Sequence, residues 1–315
     1  MNLLIPLIII VIIALYALFI LLNKAYKNTN KYKNEELVHC TTNSYDPHAD
    51  MMILGSTYGK YAFGTAEETK YEISDFTAGH KSFELDRLCF DRFFSESSNI
   101  KYIMINITTC SSLFFEDWTD YYYYDFLDKK QIGKYSVGRK LVRKYPLLKS
   151  PKSVIRIFKD KPGFNDIYEL TSYNFCNADK EKALKDLCDN WIQMFGLKDL
   201  KSGNIGEKNE KTLKDNINQL DHIVSVCLEK NVVPVIVIPP FSGILNEYFG
   251  EAFIAATVGV IINFFKNKYG DEVKIYNEQF DNDFASPNLY LDDGFRLSKV
   301  GSRLLVNKIF SSLGL

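Results

Sequence analysis

The chain carries almost no excess charge. Its 38 basic side chains against 39 acidic ones leave a formal net charge of −1 over 315 residues. A protein that coats nucleic acid needs surplus Lys and Arg to replace the counterions of the phosphates, so that class is excluded and no nucleic-acid partner is expected. Proline and glycine, at 9 and 17 residues, are too few for a collagen-like or linker-like chain. A hydrophobic fraction of 46% is too high for a solvated, disordered polymer. Only 4 histidines occur, none at zinc-ligand spacing, and the 6 cysteines (Cys40, Cys89, Cys110, Cys176, Cys188, Cys227) form no C-x-x-C pair. No metal, no cofactor and no disulfide framework is therefore expected, although an even cysteine count leaves disulfides open. Cys89 in DRLCFDRFF and Cys227 in HIVSVCLEK lie on apolar helical stripes, where cysteine acts as a small buried hydrophobe. There is no internal repeat.

What the sequence has in abundance is one apolar run. Residues 3–22 (LLIPLIIIVIIALYALFILL) contain no charge and one polar tip, Tyr16. They are long enough to cross roughly 30 Å of hydrocarbon as a helix. The alternative is a cleaved signal peptide. Against it, no basic residue precedes the run, which is about twice the length of a signal core. It also ends in Asn23-Lys24-Ala25-Tyr26 without an A-x-A-like site. The expectation is a single-pass anchor in the cell membrane. Lys24, Lys27, Lys31 and Lys33 follow the run while only the α-amino group precedes it, a bias that favours a cytoplasmic C-terminal domain.

After the anchor, residues 23–48 are polar, rich in Asn and Lys and without apolar periodicity, and read as a tether. From residue 49 to 315, short apolar runs alternate with amphipathic stretches. Strands are expected at Met51–Leu54, Tyr71–Thr77, Lys101–Thr108, Val232–Ile238 and Val273–Tyr276. Helices are expected at Ser82–Phe94, Asp179–Phe195, Lys208–Lys230, Glu251–Lys268 and Ser298–Leu313. Strands separated by helices imply crossover connections, hence an α/β domain with a three-layer, mostly parallel, doubly wound sheet. The run VVPVIVI suits a buried parallel strand, but Pro234 lacks an N–H and argues against a central position.

An insertion interrupts this pattern at about residues 114–173. Tyr121 to Tyr124 are followed there by Lys129, Lys130, Lys134, Arg139, Lys140, Arg143, Lys144, Lys149, Lys152 and Arg156. Near a bilayer such a segment suits an anionic polymer or lipid headgroups. The alternative is a solvated helix balanced by Asp120, Asp125 and Asp128.

In parallel α/β sheets ligands bind beyond the carboxyl ends of the strands, so the turns there are where chemistry is sought. The first is Ile53-Leu54-Gly55-Ser56-Thr57. Gly55 lets the chain turn sharply and presents Ser56 at a helix start. That position suits a nucleophile, a bound anion, or an ordinary helix cap made by the Ser56 or Thr57 hydroxyl. The last is Tyr290-Leu291-Asp292-Asp293-Gly294-Phe295-Arg296-Leu297-Ser298-Lys299-Val300-Gly301, which runs into the final helix.

Together the two ends resemble the SGNH (GDSL-like) hydrolase family: a G-[DS]-S turn after the first strand and a D-x-x-H-[LM]-[SN]-x-x-G segment before the last helix. Asp75-Phe76-Thr77-Ala78-Gly79-His80-Lys81-Ser82 looks like the family's second block. The closest likeness is to the membrane-anchored branch that includes DltD-like proteins, which modify surface polysaccharides by O-acylation. The resemblance implies a flavodoxin-like SGNH fold over the folded domain, an extracytoplasmic site, and a polysaccharide or glycolipid substrate. It also implies a membrane acyltransferase as partner. It places Ser56 as nucleophile, Gly79 with Gly55 at oxyanion positions, and Asp293 as the triad acid.

Two marks of the family are missing. The position of the catalytic His is Arg296, whose guanidinium stays protonated (pKa above about 12) and has no acceptor nitrogen. The G-x-N-D block is absent. The strand KYIMINIT ends in Thr108-Thr109-Cys110, so the Thr108 hydroxyl is the expected substitute donor, and Asn106 lies too early in the strand to match. Of the histidines, His80 lies in the loop on the edge of Ser56 and is the candidate base; the alternatives are a loop histidine bonded to backbone and a base supplied by another group. His39 and His48 belong to the tether or domain entry, and His222 to the helix INQLDHIVSVCLEK. Arg296 either pairs with Asp293 or turns the pocket toward carboxylate, phosphate or sulfate. Pro239-Pro240-Phe241-Ser242-Gly243 follows the strongest strand, and Ser242 is a candidate substrate contact. Two functions follow as expectations. One is a membrane-anchored esterase or O-acyltransferase; the other is a non-catalytic relative that binds a glycan, an anion or an acyltransferase.

Overall fold

The computed structural model describes residues 4–39, 45–79, 81–97, 99–117, 121–175, 179–291 and 294–315. In chain order its helices are α1 (Leu4–Lys27), α2 (Asn30–His39), α3 (Thr57–Phe63), α4 (Phe83–Phe94), α5 (Val137–Lys144), α6 (Ile155–Phe158) and α7 (Ile167–Phe175). They continue as α8 (Lys180–Phe195), α9 (Glu207–Glu229), α10 (Gly243–Asn246), α11 (Glu251–Ala256), α12 (Val258–Tyr269) and α13 (Lys299–Ser312). The strands are β1 (Met51–Leu54), β2 (Ile73–Asp75), β3 (Tyr102–Asn106), β4 (Val233–Ile238) and β5 (Lys274–Asn277). The chain forms two units, one of residues 1–40 with 117–166 and one of residues 41–116 with 167–315.

In the larger unit the strands build one five-stranded sheet in the order β2-β1-β3-β4-β5, every pair parallel. Alternate residues Met51, Ile53, Met104, Val235 and Val237 share one core with Ala62 and Phe63 of α3 and with Leu305, Val306, Ile309 and Phe310 of α13. The residues between them, Met52, Leu54, Ile103, Ile105, Ile236 and Ile238, are equally buried. Both faces of these strands are thus covered, which is why they read as continuous apolar runs. Each such side chain contributes about 1.5–3 kcal/mol by leaving water. α4 packs against α9 and α3 against α13.

β4 lies between β3 and β5, so Pro234 does occupy an interior strand. The register explains how it is tolerated. The Val233 N–H donates toward β3, to Lys101 O at 2.9 Å, so position 234 faces β5 by alternation. The β4–β5 ladder begins only at Val235, opposite Lys274, so no ladder bond is lost. The expected helix Glu251–Lys268 is interrupted at Thr257, whose backbone (φ −117, ψ −102) is not helical.

In the smaller unit α1 has a mean hydropathy of 3.2 in its most apolar window, none of it buried, and is long enough to cross a membrane. The stretch read as a tether contains a helix, α2. Its amphipathicity is weak, and it is held by polar contacts to the insertion instead. The Asp160 carboxylate accepts from Asn30 N–H at 2.7 Å and Lys31 N–H at 3.1 Å, capping the helix start. Arg143 clamps Glu36 with both guanidinium nitrogens, at 2.5 and 2.8 Å.

Candidate active site at the carboxyl edge of the sheet

The strand order reverses beside β1: the chain goes outward to β2, then returns to lay β3, β4 and β5 on the other side. Loops leaving β1 and β3 therefore diverge, and the crevice at their carboxyl ends is where open parallel sheets hold ligands. Gly55, Ser56 and Asn106 stand there.

Gly55 has φ +137, and a Cβ on it would lie 2.8 Å from Asn106 Cβ. Only glycine satisfies both the backbone and the contact. Its N–H donates to Asp86 Oδ1 at 3.0 Å, and its carbonyl accepts from Ala78 N–H at 3.2 Å. Ser56 pairs with Ala78 in a parallel bridge and stands at the N-cap of α3 with extended backbone, but its side chain makes no cap bond. The ordinary-cap alternative is therefore not realised. Ser56 is 2% exposed, and its Oγ has no hydrogen-bond partner among the described residues.

Asn106 closes β3. It is fully buried, and neither its Oδ1 nor its Nδ2 is partnered. The side chain lies in a slot that Gly59 of α3 leaves open, where a Cβ would meet Asn106 Cβ and Thr77 Cγ2, each at 2.9 Å. Leaving a buried polar group unpaired costs about 1–3 kcal/mol. Asp86, Gln279 and Asn34 each leave one oxygen or nitrogen unpaired but bond through the other. In Ser56 and Asn106 no side-chain polar atom is bonded. Asn106 lies too early in the strand to match the expected G-x-N-D block, yet it has a legible mark: it continues the buried alternation of Met104 with an amide.

A buried ion pair underlies the turn. Lys81 Nζ lies 2.6 Å from Asp86 Oδ1, both side chains wholly buried, and donates to Phe76 O at 2.6 Å. The pair ties the loop after β2, the first turn of α4 and the Gly55 N–H into one polar knot. Burial pushes the Asp86 carboxyl upward against the opposing pull of Lys81 and the Gly55 N–H. Burial works against the Lys81 charge too, but the neighbouring Asp86 carboxylate outweighs it and holds the Lys81 ammonium above its ordinary range.

The other expected residues fall as follows. Gly79 is buried directly after Ala78. His80 and Asp293 lie outside the described residues. Thr108 is locked in a reciprocal turn: its N–H donates to Ser111 Oγ at 2.7 Å and its Oγ1 accepts from Ser111 N–H at 3.0 Å. Ser242 caps α10, its Oγ accepting from Leu245 N–H at 3.2 Å, while its own N–H donates to Gly294 O at 3.1 Å. It borders a small cavity of about 50 Å³ with Leu184, Ile244, Tyr290 and Leu291. Arg296 lies over the Tyr61 ring, its guanidinium carbon 5.1 Å from the ring centre, and Nη1 is 3.4 Å from Tyr61 Oη. His222 Nε2 meets Asp91 at 2.7 Å. No described histidine reaches Ser56 Oγ.

The same edge carries an aromatic wall. Phe295 contacts Tyr58, two residues past Ser56, at 4.0 Å between ring centres, and also Phe241 at 4.7 Å and Trp191 at 5.0 Å. The buried thiol of Cys110, in the loop after β3, is pushed far up by desolvation and offers no thiolate nucleophile. Among the described residues no group of three or more His, Cys, Asp or Glu side chains is placed to hold a metal ion. Compared with known protein families the chain matches none, and compared with curated proteins it matches none in sequence.

Proposed function

We infer that the protein is a membrane-anchored serine esterase or O-acyltransferase with an SGNH-like, doubly wound three-layer domain, acting on a surface polysaccharide or a glycolipid. One observation carries this reading: at the reversal of the sheet, Ser56 after β1 and Asn106 at the end of the neighbouring β3 are both buried, and their side-chain polar atoms have no hydrogen-bond partner among the described residues. An acyl ester would satisfy both. Ser56 Oγ attacks the acyl carbonyl, its proton passes to a base, and the acyl-serine forms as the alcohol leaves. Asn106 Nδ2 and a backbone N–H of the Gly79 or Ser56 segment donate to the oxyanion. Water or a sugar hydroxyl then takes the acyl group. His80 is the proposed base and Asp293 the supporting carboxylate. A membrane acyltransferase as donor partner fits the same reading.

A second reading keeps the pocket and drops the turnover. It is favoured by Arg296, which cannot accept a proton and is held on Tyr61, so the site would bind a glycan or an anion. Hydrolysis of p-nitrophenyl acetate by the full chain in detergent separates the two. The enzyme reading expects turnover that Ser56→Ala lowers at least about a thousandfold and His80→Asn strongly reduces. Equal rates for wild type and Ser56→Ala contradict it.

A further inference from the structure

The insertion has a pattern that the chemistry at Ser56 leaves unused. Between Lys129 and Lys159 the sequence contains no acidic residue. In the smaller unit this segment packs on one end of α1. Phe19, Leu22, Asn23 and Tyr26 share one face of that helix. The Phe19 and Tyr145 rings lie 5.4 Å apart, Leu147 N–H donates to Asn23 Oδ1 at 3.1 Å, and Leu22 and Tyr26 pack with Leu147, Val154 and Ile157. At about 1.5 Å per residue the apolar part of α1 fills the hydrocarbon layer, so its polar end marks headgroup level. The insertion is fixed at that depth.

A groove of about 330 Å³ opens there, lined by Tyr26, Lys31, Tyr121, Lys149, Lys152 and Arg156 together with Glu35. Lys31 is paired with Glu35 at 2.5 Å. Lys149, which donates to Tyr121 Oη at 3.2 Å, Lys152 and Arg156 are exposed and have no acidic partner among the described residues. The same segment exposes large apolar side chains: Val137 at 66%, Leu141 at 44%, Leu148 at 47%, Ile155 at 58% and Phe158 at 79%. Val137 and Leu141 lie one turn apart on α5, as do Ile155 and Phe158 on α6. Cations interleaved with bare apolar residues suit a leaflet, which offers phosphates above an acyl layer. A soluble acidic polymer would leave the apolar half uncovered.

We propose that the insertion is an interfacial membrane element whose groove holds the phosphate-bearing headgroup of an anionic lipid, while Val137, Leu141, Leu148, Ile155 and Phe158 enter the acyl boundary. The proposal rests on α1 spanning the membrane and is independent of any chemistry at Ser56. Each cation near an anionic leaflet strengthens binding by about fivefold.

The test is native mass spectrometry of the full chain in detergent with equimolar phosphatidylglycerol and phosphatidylcholine. Wild type is expected to retain phosphatidylglycerol selectively. Lys149→Ala/Lys152→Ala/Arg156→Ala should weaken that retention by about a hundredfold, and Lys211→Ala/Lys214→Ala/Lys230→Ala should not. A photoreactive benzoylphenylalanine at position 158 should crosslink to lipid in liposomes, and one at position 280 should not. Equal retention of the two lipids, undiminished retention by the first triple variant, or no lipid crosslink at position 158 overturns the proposal. So does displacement of the lipid by millimolar inorganic phosphate, which marks a free-phosphate site, or Lys149-dependent capture of an acidic polysaccharide without lipid selectivity. Release of the wild-type chain from membranes by alkaline carbonate overturns the anchor reading and the proposal with it. Retention in the membrane with loss of selectivity in the first triple variant supports both.

Discussion

Two serines stand at the carboxyl edge of the sheet, each at the N-cap of a helix and each almost fully buried. The Oγ of Ser242, after β4, accepts from the Leu245 N–H; the Oγ of Ser56, after β1, has no partner among the described residues. The contrast extends to their surroundings. Toward β5, Thr109 Oγ1 donates to Gln279 Oε1 at 3.1 Å, so Gln279 bonds through one end of its amide and leaves only Nε2 unpaired. Around β1 and β3 a hydroxyl and an amide are left open, above an ion pair that fixes the backbone beneath them. A cap serine with its bond made holds structure. One whose cap bond is unmade, at the reversal of a parallel sheet, is the group the proposed function uses.

Substitutions can break or sharpen that contrast. The largest effect is expected from Ser56→Ala, which should lower ester turnover at least about a thousandfold while leaving stability unchanged or slightly raised, because it removes an unpaired buried hydroxyl. Parallel rate and melting measurements check both halves. Lys81→Met should destabilise the fold by about 3–5 kcal/mol, since the wholly buried Asp86 loses its counter-ion and must stay unpaired or take up a proton, and Lys81→Met/Asp86→Leu should recover much of that in denaturant titrations. Asn106→Ala should lower kcat by about 10²- to 10³-fold with little change in KM. Ser242→Ala should do the reverse of Ser56→Ala, keeping turnover and losing about 1 kcal/mol of stability with its cap.

The smallest effect concerns pH. Lys308 and the Asp283 N–H hold the Asp281 carboxyl down at about 2 from an ordinary 3.8. A depressed carboxylate stabilises the fold above its unfolded value and loses that contribution as pH falls toward the folded one. Melts between pH 4 and pH 2 should therefore show a loss of at most about 1 kcal/mol for this partly exposed pair, smaller in Lys308→Met, which keeps the Asp283 N–H on the carboxylate.

Much of the fold was legible because its signals are local. The run VVPVIVI, the alternation of helices with strands, and the helix starts at Ser82 and Ser298 all come from neighbours in sequence. The interior place of Pro234 was not legible, since it depends on where β5 begins to pair. Nor was α2, whose start is capped by Asp160 from far along the chain. At the site, Gly55-Ser56 could be found from its turn chemistry, but serine is equally suited to capping and to catalysis. Only the missing bond in three dimensions separates those roles. Asn106 is marked by its place in the alternation of β3, but the Lys81–Asp86 pair depends on burial, which no spacing in the sequence encodes.

The proposed function requires Ser56 to be an activated nucleophile with Arg296, not a histidine, at the position where the resemblance expects the base. It is tested most directly by treating the folded full chain with a fluorophosphonate and mapping the adduct by peptide mass spectrometry. The account predicts one adduct, on Ser56, absent in Ser56→Ala and retained in Ser242→Ala. A folded chain that takes no adduct on Ser56 would contradict it and leave the crevice as a binding site alone.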